Sequence, residues 1–303
     1  ISDTEKMLAA KAVGWIVSST ASPSPLGLKW KYSDCGWHDD SLLTVTEMSA
    51  AELASARAAF EAEQQRALAI VALRVTGHTG SQSHRMGTYE VNAEHSPTEG
   101  VHVFTLMGSS GRVHLYRATH GAWSIYDTDN MLAAKAAGWI KSTTASPSPL
   151  GLKWHCAKSG ALVLNPLLTV TEMSAAELAS ARAAFEAEQQ RALAIVALRV
   201  TGHTGSQSHR MGTYEVNAEH SPTEGVHVFT LMGSSGRVHL YRATHGAWSI
   251  YDTDNMLAAK AAGWIKSTTA SPSPLGLKWK YSDSGFHLDP LLTVTEMSAA
   301  ELA

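Results

Sequence analysis

VHVFTLMGSSGRVHLYRATHGAWSIYDT, from Val101 to Thr128, decides the fold class. Short runs of apolar, β-branched and aromatic residues alternate with polar ones, and glycines punctuate them, which is the signature of strands joined by tight turns. Gly108-Ser-Ser-Gly111 reads as a four-residue hairpin loop, which sets Leu106 against Val113, Phe104 against Leu115 and His102 against Arg117. His120-Gly121 reads as a two-residue turn, which sets Ala118 against Trp123 and Tyr116 against Ile125. In that register Phe104, Leu106, Val113 and Leu115 share one face, and Tyr116, Trp123, Ile125 and Val103 share the other. A sheet apolar on both faces is covered on both, as in a sandwich or small barrel, or keeps one face for a ligand.

Outward from this stretch the strand texture continues. Further strands are expected at Ala72–Thr76, Thr88–Asn92, Gly138–Ser142, Leu152–Trp154 and Leu167–Thr171, with a short helical turn at Asn130–Ala137 ended by Gly138. The whole pattern then repeats. Leu42 to Trp154 and Leu167 to Trp279 are identical over 113 residues, at an offset of 125. The first thirty residues follow the same text with substitutions such as Val13 for Ala137. Only the segment after each module's last tryptophan varies: KYSDCGWHDDS from Lys31, HCAKSGALVLNP from His155 and KYSDSGFHLDP from Lys280. The middle version is one residue longer, so an exposed loop or hairpin tip is expected there.

A period of 125 residues exceeds the roughly 20–50 of solenoid repeats, so each unit is expected to be a whole domain plus a connector. The connector is a helix. Ser49 and Glu52 have the capping-box spacing, as do Ser174/Glu177 and Ser298/Glu301. AAELASARAAFEAEQQRALAIVAL follows, rich in strong helix formers, and would run about 36 Å to Leu73. Its apolar stripe is thin: Leu53, Phe60 and Ala67, with Leu68 and Val71 near the end. That suits a spacer or light packing on a module better than a coiled coil, which needs three or more strong heptads. The expected fold class is mainly β with connecting helices: tandem antiparallel sandwich-like or barrel-like beads of ~100 residues, joined by Ala-rich helices of ~24. The divisions are 1–48, the C-terminal part of a β module; 49–73, a helix; 74–173, a complete module; 174–198, a helix; 199–297, a complete module; and 298–303, the start of another helix. Both ends cut through a unit, which fits a window onto a longer array or half-units completed by other molecules.

Composition narrows the function classes. With 24 basic and 27 acidic residues there is no field to attract nucleic acid, and the longest strongly apolar run, Ala67–Leu73, falls far short of the ~20 residues of a membrane span. The two cysteines, Cys35 and Cys156, do not repeat with the module, so free thiols are expected rather than a disulfide framework. Fifteen histidines are present, but none has helical H-x-x-x-H spacing or a C-x-x-C partner, so histidines on surface strands and turns are expected and no metal is assigned. Their number would let assembly respond to pH near 6–7. Asp127-Thr-Asp-Asn130 is acidic but lacks the glycine and glutamate of a calcium loop; a turn and N-cap are expected. Ser146-Pro-Ser-Pro149 reads as a stiff linker or a docking peptide. No catalytic motif or phosphate-cradling loop is present: GHTGSQS, Gly77 to Ser83, lacks a P-loop's lysine, and the expectation is a non-enzyme without cofactor. The candidate interaction surface is aromatic: Tyr116, Trp123, Tyr126, Trp139 and Trp154, with Trp248, Trp264 and Trp279 in the next module. These residues form either a core or a platform for sugar rings.

The succession GTYEV (Gly87–Val91), VHLYRATHGAWSIYDT (Val113–Thr128), AAGWI (136–140), ASPSPLGLKW (Ala145–Trp154) and PLLTVT (Pro166–Thr171) resembles uncharacterised tandem Gly/Tyr/Trp β-modules of large predicted marine-algal proteins. The resemblance covers each module but not the helix. It implies an interaction module without catalytic residues. The leading expectation is therefore a structural or scaffolding protein, forming a fibre, sheath or surface appendage by self-association of identical modules; an extracellular or cell-surface place suits that role, although the sequence does not fix the compartment. The alternatives are a carbohydrate- or ligand-binding array with a glycan partner, and a linker subunit of a large membrane complex such as a light-harvesting assembly.

Overall fold

The computed structural model describes residues 16–18, 24–33, 37–77, 82–96, 100–133, 139–158, 161–203, 205–221, 224–258 and 263–302. The expectations for the first fifteen residues, Cys35, His78 and the end of the helical turn at Gly138 lie outside them. The chain is mainly β, with antiparallel sheets and a few helices. It divides into two units, Ile1–Glu61 and Ala62–Ala303.

In the first unit, β1 (Ile16–Ser18), β2 (Trp30–Ser33) and β3 (Trp37–Asp40) form a three-stranded antiparallel sheet. Trp30 is buried in it. Helix α1 (Ala50–Ala69) follows.

The second unit holds two nine-stranded antiparallel sheets. The first contains β4 (Ala72–Thr76), β5 (Gly87–Val91), β6 (Phe104–Leu106), β7 (Val113–Arg117) and β8 (Ala122–Asp127). The short helix α2 (Thr128–Leu132) precedes β9 (Ile140–Ala145), β10 (Trp154–Lys158), β11 (Ala161–Asn165) and β12 (Thr169–Met173). Helix α3 (Ala175–Ala194) leads to the second sheet, which opens with β13 (Ala197–Thr201), β14 (Gly212–Val216), β15 (Phe229–Leu231) and β16 (Val238–Arg242). It continues through β17 (Ala247–Asp252), α4 (Thr253–Leu257), β18 (Ile265–Ala270), β19 (Trp279–Ser282), β20 (Phe286–Asp289) and β21 (Thr293–Glu296), and α5 (Ala299–Leu302) follows. Among the described residues no helix is long and apolar enough to cross a membrane, which says nothing of strands.

Each large sheet is a meander whose last strand returns to the first: β4 to β11 run in order and β12 pairs with β4. The two edge strands, β11 and β12, are joined by 166–168 alone, so Asn165 and Thr169 are at most ~15 Å apart. A flat nine-stranded sheet would hold its edges ~38 Å apart at ~4.8 Å per strand. The sheet is therefore curled. At the corner Gly77 takes φ +94°, and a Cβ there would sit 1.7 Å from the Leu167 carbonyl oxygen; Gly202 repeats this with Leu291 at 1.8 Å. Only glycine fits that contact.

The curl encloses the main core: Leu73, Val75, Tyr89, Phe104, Leu115, Trp123, Ile125, Ile140 and Trp154 among others, with Ala67 and Ile70 at the end of α1. The second sheet repeats it with Ala192 and Ile195 at the end of α3. The outer face carries a smaller cluster of Val103, Tyr116, Ala118 and Met131. Phe104 does pair with Leu115, as the GSSG loop requires. The next hairpin turns one residue wider than its sequence suggests: Ala118 N–H donates to Ala122 at 2.8 Å, Arg117 pairs with Trp123, and Tyr116 pairs with Ser124. One residue of slip moves a strand to the other face, so Trp123 and Ile125 point into the core and not beside Tyr116.

The variable window is the β10–β11 hairpin. Capping boxes form at Ser49/Glu52 and Ser174/Glu177. Asp127 caps α2, accepting from the Asn130 backbone N–H at 3.1 Å. Ser146–Pro149 is not a free linker: Pro147, Ser148 and Pro149 are buried, and the Ser146 carbonyl accepts from both Trp123 Nε1 and Arg117 Nε at 3.0 Å.

Candidate assembly interface

Within the second unit the two large sheets meet, and α3 runs between them. One stripe of α3 does both jobs. Leu178 and Ala181 pack on Ala72, Met107 and Met173 outside the first sheet, and Arg182 forms a two-nitrogen ion pair with Glu90. Gln189 Nε2 then donates to the Gly225 carbonyl at 2.9 Å, and Ala192 enters the second core. Leu178, Phe185 and Ala192 are the counterparts of Leu53, Phe60 and Ala67, so the seven-residue spacing corresponds to a packing stripe. Leu178 is 8% exposed while its copy Leu53 is 43% exposed.

The sheets also touch directly. The turn at Ser83–Arg85, a single 3-10 turn, lies on β18. Ser83 Oγ donates to the Thr268 carbonyl at 2.5 Å. Arg242 is the central strut. Its Nε donates to the Ser271 carbonyl at 3.0 Å and its Nη1 to the Glu224 carbonyl at 3.1 Å, both in its own sheet, while Nη2 donates to the Gly108 carbonyl of the first sheet. The guanidinium carbon also lies 5.8 Å from the Phe185 ring centroid. Burial lowers the Arg242 pKa to about 10, with Glu224 opposing the shift. Gly108 has φ +77°, and an added Cβ would meet Arg242 and Phe185 at 2.6 Å. Beside it a groove of about 440 Å³ runs between Glu90, Asn92 and Gly108 on one side and Phe185, Gln189 and Arg242 on the other.

Two histidines face each other across the junction, His84 and His245, with ring centroids 5.4 Å apart. Burial pushes His84 well below its ordinary pKa, and Arg85, His245, Lys280 and Lys266 push it the same way. Burial, then Arg85, Lys266 and Arg112, lowers His245 to about 4 against the opposing pull of Asp127. Burial and Lys280 lower Lys266 to about 8. The junction thus favours neutral imidazoles near neutral pH.

The residues of both halves recur in the same chain with different exposure. Ser83, His84 and Arg85 are buried, while Ser208 and His209 are exposed and Arg210 half-buried. Arg242 is buried while Arg117 is half-buried; His245 and Thr268 are half-buried while His120 and Thr143 are exposed. Gly108 meets Arg242, whereas Gly233, at φ +76°, would have nothing within 4 Å of an added Cβ.

The aromatic candidates separate into two groups. Trp123, Trp154, Trp248 and Trp279 are fully buried, as is Tyr116, so the structure removes these five from any surface. Their size makes them the centre of each core, with Phe104 against Trp123 and Phe229 against Trp248. Trp139 and Trp264 remain 43% and 42% exposed, their rings tilted against Tyr126 and Tyr251 at centroid distances of 6.4 and 6.0 Å.

Several histidines are internal fasteners and not surface groups. His114 bonds Thr105 at 2.9 Å and Thr128 at 3.0 Å, and burial lowers it to about 4. His102 Nε2 donates to the Leu68 carbonyl at 3.0 Å, tying α1 to its sheet. His203 Nδ1 lies 2.5 Å from the Asp289 carboxylate, both buried. That carboxylate also accepts from the Leu291 and Leu292 N–H groups at 3.0 and 3.1 Å, and His203 Nε2 accepts from Gln207 at 3.4 Å. Both imidazole nitrogens are therefore committed, and the pair pins the β20–β21 corner. Asn165 stands in Asp289's place in the first sheet, capping Leu167 at 3.1 Å. Cys156 is buried and unbonded to another cysteine, its thiol pKa raised by burial. Among the described residues no three metal-ligating side chains converge.

No family model, curated protein sequence or solved structure matches the chain.

Proposed function

We propose that this protein is a structural scaffold: tandem β modules, each plugged by the helix before it, stacked through one repeated contact. The helices act as struts shared by consecutive modules. The observation that carries this reading is the junction itself. Two nearly identical sheets meet through different faces, the turn and loop of one against β18 and Arg242 of the next. Such a heterologous contact propagates along an array, and weak contacts gain from being tethered. The identity of the modules over 113 residues writes both contacting faces into each of them, apart from Lys280, whose counterpart is His155. An array of this kind serves a fibre, sheath or appendage. The test is mechanical: pulling a single chain should show the two modules yielding together with the junction, whereas two independent, equal unfolding events from the first rupture onward would count against it.

A second reading, a glycan-binding array, is favoured by Trp139 and Trp264. Both are exposed, recur at equivalent sites and are backed by a tyrosine. Glycan-array screening of the protein and of its Trp139→Ala/Trp264→Ala variant tests it; equal signals from the two would exclude that site.

A further inference from the structure

Resting on the junction that carries the scaffold reading, we propose that the two sheets clamp a small free oxyanion, sulfate or phosphate, between the Ser83–Arg85 turn of the first and Lys266 and Lys280 of the second. The site is built by strand register. Lys266 on β18 stands directly opposite Lys280 on β19, and Ser249 on β17 stands opposite Lys266. Their chain neighbours Trp248, Ile250, Ile265 and Trp279 fill the core, so these three side chains share the outer face. Like charges directly opposite each other repel, and burial weakens the screening between them. Lys280 is 6% exposed and Lys266 half-buried.

The turn laid on β18 adds positive charge to this row. Arg85 is buried; its Nε donates to Gln82 Oε1 at 2.9 Å, while its Nη1 is buried with no acceptor. His84 and His245 meet here at 5.4 Å. Lys266 Nζ lies 3.7 Å from the Phe286 ring centroid, and among the described residues no carboxylate pairs with it. The Ser249 hydroxyl is buried without a partner as well. Exposed Arg112 adds to the positive field at His245, and Asp127 is the acid that opposes it. Asp127 Oδ1 is already engaged, accepting from the Asn130 backbone and side-chain N–H groups at 3.1 and 2.8 Å. Cations gathered out of water are costly without a counter-charge. A dianion with four oxygens supplies one and accepts from ammonium, imidazolium and guanidinium groups at once. The turn closes over the row, with Ser83 bonded to Thr268 two residues along β18 from Lys266, and this suits a free ion better than the tip of a polymer. In the first sheet the same row reads Ser124, Lys141 and His155, one permanent charge fewer.

The test is isothermal titration of the 303-residue chain with sodium sulfate, against sodium chloride at equal ionic strength. Saturable sulfate binding is expected with a Kd of ~1 mM or tighter. Lys266→Met should weaken it at least about tenfold, Lys266→Arg less than about threefold, and Lys141→Met not at all. Lys266→Met removes one of two opposed cations, so without sulfate it should unfold at the same urea concentration as the wild type or a higher one. Lys266 titrates at about 8 and an adjacent anion raises it, so binding should weaken about tenfold between about pH 6 and pH 9. His245→Gln should weaken binding more at the acid end of that range than at the alkaline end. Sulfate should also slow amide exchange in the 83–85 turn and leave the 208–210 turn unchanged. Sulfate binding no tighter than chloride, or equal losses in Lys266→Met and Lys141→Met, overturns the site. A protected 83–85 turn without sulfate binding overturns the anion site alone and leaves the junction standing. An 83–85 turn that exchanges as fast as 208–210, with and without sulfate, overturns the scaffold reading itself.

Discussion

Replacing Gly108 and Gly233 by alanine, one at a time, separates the junction from everything else. The two glycines have the same neighbours in sequence and φ values of +77° and +76°. The cost of placing an L-residue in that conformation, about 1–2 kcal/mol, is therefore common to both variants. At Gly233 the methyl enters open space. At Gly108 it would overlap Arg242 Nη2 and the Phe185 ring at 2.6 Å, so those groups must move away. The Arg242 bond to the Gly108 carbonyl is then lost, a bond to a charged donor of about 1.5–3 kcal/mol. The contact of Arg242 with Phe185 goes with it, about 0.5–1 kcal/mol. Gly108→Ala should thus cost about 2–4 kcal/mol more than Gly233→Ala. Urea unfolding of dilute protein, followed by tryptophan fluorescence, reads the difference. Adding Phe185→Ala to Gly108→Ala should recover part of the loss. Equal losses in the two alanine variants would refute the junction as an energetic contact.

Other outcomes follow from the same contacts. His245 titrates near 4 when docked and near 6.5 when free, so the separated state takes up the proton first. Junction stability is then full above about pH 6.5 and falls between 6.5 and 4, by up to about 3 kcal/mol at 1.36 kcal/mol per unit. Hydrogen exchange against pH should show that fall in the wild type and a shallower one in His245→Gln. Asp289→Ala strands a buried imidazole and should cost about 3 kcal/mol, while Asp289→Asn, the residue the first sheet uses at 165, should cost about 1 in thermal unfolding. Trp248→Ala should cost at least about 3 kcal/mol and exposed Trp264→Ala under about 1, by the same assay.

Much of the fold was legible because one unit's local signals agree with one another. The alternating runs gave the strands, Ser-x-x-Glu gave the helix starts, and the insertion after Trp154 marked a hairpin. At Thr119–Gly121 the His-Gly pair fits a two-residue loop, and only pairing with β9 and the enclosure of Trp123 select the wider turn. The proline-rich segment has the composition of a linker, yet its Ser146 carbonyl serves both a buried indole and a guanidinium. The candidate interface was harder to see. Ser83, His84, Gly108 and Arg242 carry no motif, and the same letters stand exposed at Ser208, His209, Gly233 and half-buried at Arg117. What distinguishes them is a neighbouring module, and no local pattern encodes that. The stripe of Leu53, Phe60 and Ala67 was the one usable signal, since its copy Leu178, Phe185 and Ala192 is the line of contact between the sheets.

Amide hydrogen exchange of the 83–85 turn against the 208–210 turn, in the wild-type chain and in Arg242→Ala, tests most directly whether the junction holds the two sheets together. Slower exchange is expected at 83–85 than at 208–210 in the wild type, with a smaller gap in Arg242→Ala. Equal rates in the wild type, or a gap that Arg242→Ala leaves unchanged, would contradict it.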